Sequence, residues 1–204
     1  MKALIINGSP HKNGTTRRAL EEVKKPLLRE EFDCEIYDIE SGTFGCKACG
    51  FCKKAGKCVI DDGVNKVLPL FKTADVLIIG SPVYYASPNG SLIAFLDRLF
   101  HSAKFDKRMK VGAAVVAARR GGLSATFDVI NKYFTISGMA VASSRYWNQI
   151  HGTSAAEAEE DTEGLLTLRE LGENIAFLAK SIKLGKESFG LPKREDEIKT
   201  SFVR

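Results

Sequence analysis

Short apolar runs alternate with amphipathic stretches along residues 3–184 of this chain. Runs of about four to eight apolar residues predict buried strands, and apolar residues spaced three and four apart predict helices. The predicted strands are residues 3–6, 34–39, 76–80, 111–118 and 140–146, and the predicted helices are residues 16–29, 64–73, 92–100, 123–136 and 159–184. Because apolar strands alternate with helices, we predict a parallel sheet that is covered on both faces.

This alternation favours an α/β fold of the flavodoxin-like, doubly wound type, with a five-stranded parallel sheet in the order 2-1-3-4-5. Ligands of such sheets bind beyond the carboxyl ends of strands 1 and 3. Both of these ends carry a Gly-Ser-Pro turn, at residues 8–10 and 80–82. We interpret residues 1–184 as one domain with a cysteine-rich loop at residues 45–60, and residues 185–204 as a C-terminal extension.

Composition and charge narrow the class of protein. The chain has 204 residues, of which 44% are hydrophobic, and this suits one globular domain with a full core. The longest apolar run, residues 111–118, is too short to cross a bilayer, and the N-terminus lacks a signal-peptide pattern, so we expect a cytoplasmic protein without a membrane partner. The net charge of +5 comes from scattered basic residues, which argues against nucleic-acid binding and suits an anionic cofactor or substrate.

The first predicted strand is followed by a loop that Gly8 and Gly14 bracket. The polar side chains of this loop, its free backbone N–H groups and the following helix N-terminus could together donate hydrogen bonds to a phosphate. The alternative is an ordinary strand-to-helix turn with a threonine as the N-cap. The loop lacks both the Gly-Lys-Ser/Thr ending of a Walker A motif and the G-x-G-x-x-G dinucleotide pattern. The candidate phosphate-binding residues are Ser9, His11, Asn13, Thr15 and Thr16.

Four of the five cysteines lie within thirteen residues, at the spacing C-x2-C-x2-C-x5-C. Cytoplasmic thiols are normally reduced, so this density indicates metal or redox chemistry. Three thiols in one compact turn with a fourth nearby suit a [4Fe–4S] cluster; the alternatives are a zinc site and cysteines that are free or paired in disulfides. We interpret the fifth, Cys34, as a buried bystander in the second strand. The candidate metal ligands are Cys46, Cys49, Cys52 and Cys58.

Three motifs occur together and in this order: Gly8-Ser9-Pro10-x3-Gly14-Thr15-Thr16, Ser81-Pro82-Val83-Tyr84 and Asp97-Arg98. With them the chain resembles the NADPH-dependent FMN reductase family of flavodoxin-like proteins, over about residues 1–184. The cysteine motif, Asp61-Asp62 and Tyr146-Trp147-Asn148-x2-His151-Gly152 are similar to the iron–sulfur flavoprotein branch of that family. The resemblance implies that the first loop binds the FMN phosphate. It also implies that the isoalloxazine ring is lined by Pro82, Val83, Tyr84 and Tyr85.

A flavin needs a flat apolar slot, and it needs hydrogen-bond donors where charge develops on reduction. Two tyrosines of the second Gly-Ser-Pro turn could form the slot, with packing elsewhere as the alternative. Two arginines and two backbone N–H groups after strand 4 could stabilise an anionic reduced flavin, and a solvated charge pair is the alternative. The single tryptophan could cover the flavin, contact another subunit or have a structural role. These candidates are Tyr84, Tyr85, Arg119, Arg120, Gly121, Gly122 and Trp147.

We therefore predict an FMN-dependent oxidoreductase that takes electrons from NAD(P)H as co-substrate, or from a protein donor. It passes them to a small acceptor or a carrier, through a [4Fe–4S] cluster if the cysteines hold one. The flavin carries the chemistry, so no side chain is assigned as catalytic. A non-catalytic flavodoxin-like electron carrier and a flavin or thiol redox sensor are the alternatives. The apolar residues around Phe95, Phe100 and Trp147 suggest a homodimer or homotetramer.

Overall fold

The computed structural model describes residues 1–196, 198 and 200, in which strands and helices alternate. The strands are β1 (Lys2–Asn7), β2 (Asp33–Asp38), β3 (Val76–Tyr84), β4 (Ser87–Pro88), β5 (Val111–Ala118), β6 (Ala140–Val141) and β7 (Gln149–His151). The helices are α1 (Thr15–Arg29), α2 (Phe51–Ala55), α3 (Gly63–Thr73), α4 (Gly90–Ser102), α5 (Leu123–Ile136), α6 (Ala155–Ala158) and α7 (Thr162–Phe189).

Five parallel strands lie in the order β2-β1-β3-β5-β6. When only these five parallel strands are numbered along the chain, their order is 2-1-3-4-5, as predicted. The flavodoxin-like fold is therefore confirmed. Two short strands extend the sheet: β4 forms an antiparallel hairpin with β3, and β7 pairs with the end of β5. Because the chain winds in opposite directions from β1 and β3, a crevice opens beyond the carboxyl ends of these two strands.

Helices cover both faces of the sheet, and the alternation of side chains along the strands explains why. Ile5 of β1 belongs to the apolar cluster under α1 and α7. Its neighbours Leu4 and Ile6 belong to the cluster under α3, α4 and α5. A strand that is buried on both faces has no polar position, so β1 appears in the sequence as a continuous apolar run.

The prediction of one strand over residues 140–146 is wrong. β6 ends at Val141, and the chain leaves the sheet before it pairs with β5 again at Gln149. Asn148 is 1% exposed, and its Nδ2 donates to the Ala114 carbonyl oxygen at 3.0 Å, in place of a main-chain donor. A buried carbonyl group needs a hydrogen-bond donor. The Asn148 side-chain amide supplies that donor to Ala114 of β5 where the chain has left the sheet.

Two helices also differ from the sequence interpretation. α7 continues to Phe189, so the first residues of the predicted C-terminal extension are helical. Phe95 of α4 is 1% exposed within the core and is not available for a subunit contact. It lies on the stripe of α4 that faces the sheet, together with Leu92, Leu96 and Leu99. No helix in the described part of the chain has both the length and the apolar character that crossing a membrane requires.

Candidate functional site

A cavity of about 620 Å³ lies at the carboxyl ends of the strands. Nine of the residues proposed from the sequence line it, and the residues after β7, 152–155, complete its wall. The sequence analysis did not include this last segment, although it begins at the Gly152 of the family-like pattern. The nine proposed residues in the cavity wall are Ser9, His11, Asn13, Thr15, Thr16, Pro82, Val83, Tyr84 and Arg119.

Gly8, which directly precedes the cavity-lining Ser9, allows the ends of β1 and β3 to meet. Its N–H donates to the Gly80 carbonyl oxygen at 2.8 Å. A Cβ at position 8 would lie 2.5 Å from Leu92 Cδ2 and 2.8 Å from the same carbonyl oxygen. Both contacts are shorter than van der Waals distance, so only glycine fits without a shift of the backbone or of α4.

The loop that follows Gly8 is held by its own hydrogen bonds. The Ser9 N–H donates to Asn7 Oδ1 at 3.1 Å, and the His11 N–H donates to Ser9 Oγ at 3.1 Å. The Gly14 N–H donates to the His11 carbonyl oxygen at 3.1 Å. These bonds give the loop a defined path into α1 and place Ser9 at the cavity wall.

The N-terminus of α1 opens into the cavity without a side-chain cap. Gly14 occupies the N-cap position and no side chain accepts from the first turn, so the alternative with a threonine N-cap does not hold. Helices α2 and α5 also begin after a glycine without a side-chain cap, whereas α3, α4, α6 and α7 are each capped by an Asp, Asn or Ser side chain. Free N–H groups together with the positive end of the helix dipole suit an anion. The first turn of α1 contains no acidic residue that would repel one.

A tight hairpin presents the tyrosines. Tyr85 and Ala86 connect β3 to β4, and their φ angles are 50° and 56°. Two positive φ angles are typical of a type I′ turn, which costs about 1–2 kcal/mol for each non-glycine residue. Tyr84 is 43% exposed and lines the cavity, whereas Tyr85 is fully exposed at the tip of the hairpin and does not.

The segment after β5 contributes unequally to the cavity. Arg119 lines the cavity and is exposed, whereas Arg120, Gly121 and Gly122 lie outside its wall. Gly122 instead supports the hairpin: its φ is +88°, and a Cβ there would lie 2.7 Å from Ala86 Cα. Glycine is required at this position on both counts, because a side chain would be strained and would displace the turn that carries the tyrosines.

Trp147 lies in a different cavity, of about 320 Å³, between the detour after β6 and the start of α7. Its ring packs edge-on against Tyr146, with ring centroids 4.9 Å apart. His151 and Asp161 line the same cavity, and the His151 N–H donates to Asp161 Oδ2 at 2.7 Å. Trp147 therefore does not share a wall with the cavity at the strand ends.

All four candidate metal ligands line one cavity of about 250 Å³. Cys46 and Cys49 are exposed, Cys52 and Cys58 are half-buried, and each is a free thiol. Within residues 1–196, 198 and 200, no three His, Cys, Asp or Glu side chains lie close enough together to hold one metal ion. The four thiols therefore share the wall of one cavity without converging on a single point.

Arg98 connects this cavity to the core. Its side chain is 1% exposed, and its Nη1 and Nη2 each donate to one oxygen of Asp62 at 2.7 Å. Its Nε donates to Cys58 Sγ at 3.2 Å. Burial alone would raise the pKa of Asp62, but hydrogen bonds from Arg98 and from the Val64 N–H, together with the positive charges of Arg98 and Lys66, outweigh burial and lower it. The sequence analysis used Arg98 only as part of a family-like motif and assigned it no role.

Known proteins resemble this chain in sequence over most of its length. The family model described as NADPH-dependent FMN reductase matches residues 1–153. An iron–sulfur flavoprotein of Methanocaldococcus jannaschii is 33% identical over 192 residues, covering 90% of this chain and 100% of that protein. An iron–sulfur flavoprotein of Methanosarcina thermophila is 30% identical over 192 residues, covering 92% of this chain and 100% of that protein.

The fold has a counterpart among solved structures. A flavodoxin from the domain Archaea superposes with a TM-score of 0.61 at 19% identity, covering 88% of this chain and 99% of that chain. At this level of identity the likeness concerns the fold alone.

Proposed function

The chain belongs to the NADPH-dependent FMN reductase family, and on that premise we propose that it is an FMN-dependent oxidoreductase. It takes electrons from NAD(P)H or from a protein donor and passes them to a small acceptor or a carrier. The observation that carries this proposal is the uncapped N-terminus of α1, which opens into a cavity wide enough for a flavin at about 620 Å³. A phosphate there would satisfy the free N–H groups of the first turn.

Each wall of the cavity has a different task in this proposal. Ser9 and Thr16 are the proposed hydroxyl donors to the phosphate, since both residues line the cavity into which the N-terminus of α1 opens. Tyr84 borders the ring slot, where an aromatic face packs against an aromatic ligand. Arg119 places a positive charge at the rim, where it favours a flavin that gains negative charge on reduction. The flavin itself supplies the hydride and electron chemistry.

Cys46, Cys49, Cys52 and Cys58 are the proposed ligands of a [4Fe–4S] cluster. The four thiols around one cavity of about 250 Å³ support this donor set. Their number and spacing match the thiolate ligation of such clusters. The adjacent lysines 47, 53, 54 and 57 offset the negative charge of a thiolate-rich site.

The phosphate site is tested by comparing two flavins that differ only in that group. Wild-type protein should quench the fluorescence of FMN at low concentrations and should bind riboflavin far more weakly. Equal affinity for the two would contradict the phosphate site. Steady-state oxidation of NADPH or NADH with a quinone or ferric acceptor then separates an enzyme from a non-catalytic carrier, because a carrier binds FMN without turnover.

Iron content tests the cysteine site. Protein that is purified or reconstituted without oxygen should hold about four irons per chain alongside FMN. Cys49→Ser should remove the iron-dependent absorption and leave the bound flavin in place. An iron-free sample that still binds FMN would contradict the cluster, and the four cysteines would then be redox-active or structural thiols in a simpler flavin reductase.

The proposal includes a cytoplasmic location, since free thiols persist where the compartment is reducing. It also includes assembly into a homodimer or homotetramer. Tyr85, Tyr146 and Trp147 are exposed by 105%, 54% and 51%, and aromatic residues of this kind are enriched at protein interfaces. Nucleic acids and membranes are not among the proposed partners.

A further inference from the structure

We propose that Arg98 is a positioning residue of the thiol centre, and this inference rests on the proposed iron–sulfur function. Arg98 holds Cys58 and both ends of the cysteine loop in place. Through its charge it also raises the reduction potential of an iron–sulfur group that the four cysteines bind.

The guanidinium of Arg98 uses its full hydrogen-bonding capacity at this one site. An arginine side chain has five N–H donors, and Arg98 makes five hydrogen bonds. Two are the fork to Asp62 and one is the bond to Cys58 Sγ. The other two reach the Phe44 carbonyl oxygen at 3.3 Å and the Ile60 carbonyl oxygen at 3.2 Å. Phe44 and Ile60 flank the cysteine motif, so a single side chain fastens both ends of the loop.

Cys58 is held differently from the other three cysteines. Within the described residues, it is the only one of the four whose sulfur accepts a hydrogen bond. Its backbone is fixed as well, because its N–H donates to Asn65 Oδ1 at 2.9 Å and its carbonyl oxygen accepts from Asn65 Nδ2 at 3.1 Å. Cys58 is therefore the thiol whose position the folded chain fixes most firmly.

The Arg98 cation lies close enough to Cys58 Sγ to affect the reduction potential of an iron–sulfur group that Cys58 binds. Adding one electron to an iron–sulfur group increases the negative charge on its cysteine sulfurs. The N–H of a buried guanidinium 3.2 Å from Cys58 Sγ stabilises that added charge, so it favours the reduced form. Asp62 opposes this effect, since its carboxylate lies on the far side of the same guanidinium at 2.7 Å. Arg98 and Asp62 should thus shift the potential in opposite directions.

The opposite signs of these two shifts distinguish an effect of Arg98 on the reduction potential from a purely structural role. Arg98→Met removes the cation, and the midpoint potential of the iron–sulfur absorption should become more negative. Arg98→Lys keeps the charge without the fork and should give a smaller negative shift. Asp62→Asn keeps a side-chain oxygen for the α3 cap but leaves the guanidinium without its counter-ion, and the potential should become more positive. Arg169→Met, an ion-paired arginine on α7 at the opposite face of the sheet, should leave the potential unchanged.

The measurement is an anaerobic spectroelectrochemical titration of each variant after its iron and sulfide content has been determined. Unchanged potentials in both Arg98→Met and Asp62→Asn, or shifts of the same sign, would overturn the role of Arg98 while the cluster stands. If Arg98→Met fails to fold or to hold iron, the signs for Arg98→Lys and Asp62→Asn decide. Wild-type protein without iron would overturn the cluster, and this proposal with it.

Discussion

Thr16→Ala tests the phosphate site at one hydroxyl group. Thr16 lies in the first turn of α1, is 2% exposed and lines the cavity at the strand ends. A hydrogen bond from a hydroxyl group to a phosphate dianion is charge-assisted, so its loss should cost about 1–3 kcal/mol of FMN binding, which is about 5- to 150-fold in Kd. Thr15 is a less suitable choice, because its Oγ1 already donates to the Gly152 carbonyl oxygen at 3.2 Å.

The assay is a fluorescence titration of wild type and Thr16→Ala, each with FMN and with riboflavin. This cycle isolates the phosphate, because a general disturbance of the cavity would weaken both ligands equally. Thr167→Ala is a matched control: Thr167 has the same 2% exposure and lies on α7, outside the cavity wall. An FMN affinity that does not change, or an equal loss for both flavins, would refute the assignment of Thr16 to the phosphate.

Three further predictions concern stability and assembly. Burial alone would raise the pKa of Glu22, but hydrogen bonds from Lys25, Arg169 and Arg18 outweigh it and lower the pKa to about 2. Glu22→Gln should therefore reduce the free energy of unfolding, measured by urea titration at pH 7, by about 2 kcal/mol. The difference between variant and wild type should shrink as the pH falls from about 4.5 toward 2, because the wild-type carboxylate becomes protonated. Gly8→Ala should lower the melting temperature, with a cost of about 1–3 kcal/mol for the overpacked strand end. Light scattering at micromolar concentration should give the mass of a dimer or tetramer, and a monomer mass would contradict the assembly.

The fold could be predicted because its strands are buried on both faces. β1, β3 and β5 contain continuous apolar runs, and such runs between amphipathic helices leave few architectures open. The last strand could not be predicted in the same way. The chain leaves the sheet after Val141, and the Asn148 side chain replaces a main-chain donor. Hydrophobic periodicity shows which side chains are buried along an element of four or more residues, so strands of two and three residues, such as β6 and β7, give no periodic signal.

The residues that line the cavity could be predicted where the strand order determines their position. They could not be predicted where the local backbone conformation determines it. Ser9 and Thr16 follow β1 at the crevice, so their location follows from the strand order. Tyr84 and Tyr85 are adjacent in the sequence, yet only Tyr84 lines the cavity. The separation arises from a hairpin turn with positive φ at Tyr85 and Ala86. A turn of this type normally contains Asn or Gly, so the Tyr-Ala sequence carried no indication of it.

Arg98 was missed as a contributor to the site, although helical spacing contains a signal for it. Phe95, Arg98 and Ser102 are spaced three and four apart, and all three are buried on the core-facing side of α4. A cation on a buried helical face must have an anionic or strongly polar partner, because an unpaired buried charge is prohibitively costly. Such a partner has to come from a segment that packs on α4, and Asp62, which N-caps α3 and follows the cysteine motif, is that partner. A basic residue at an apolar position of a helix therefore predicts an acidic partner elsewhere in the chain. Here that partner, Asp62, lies beside the candidate metal ligand Cys58.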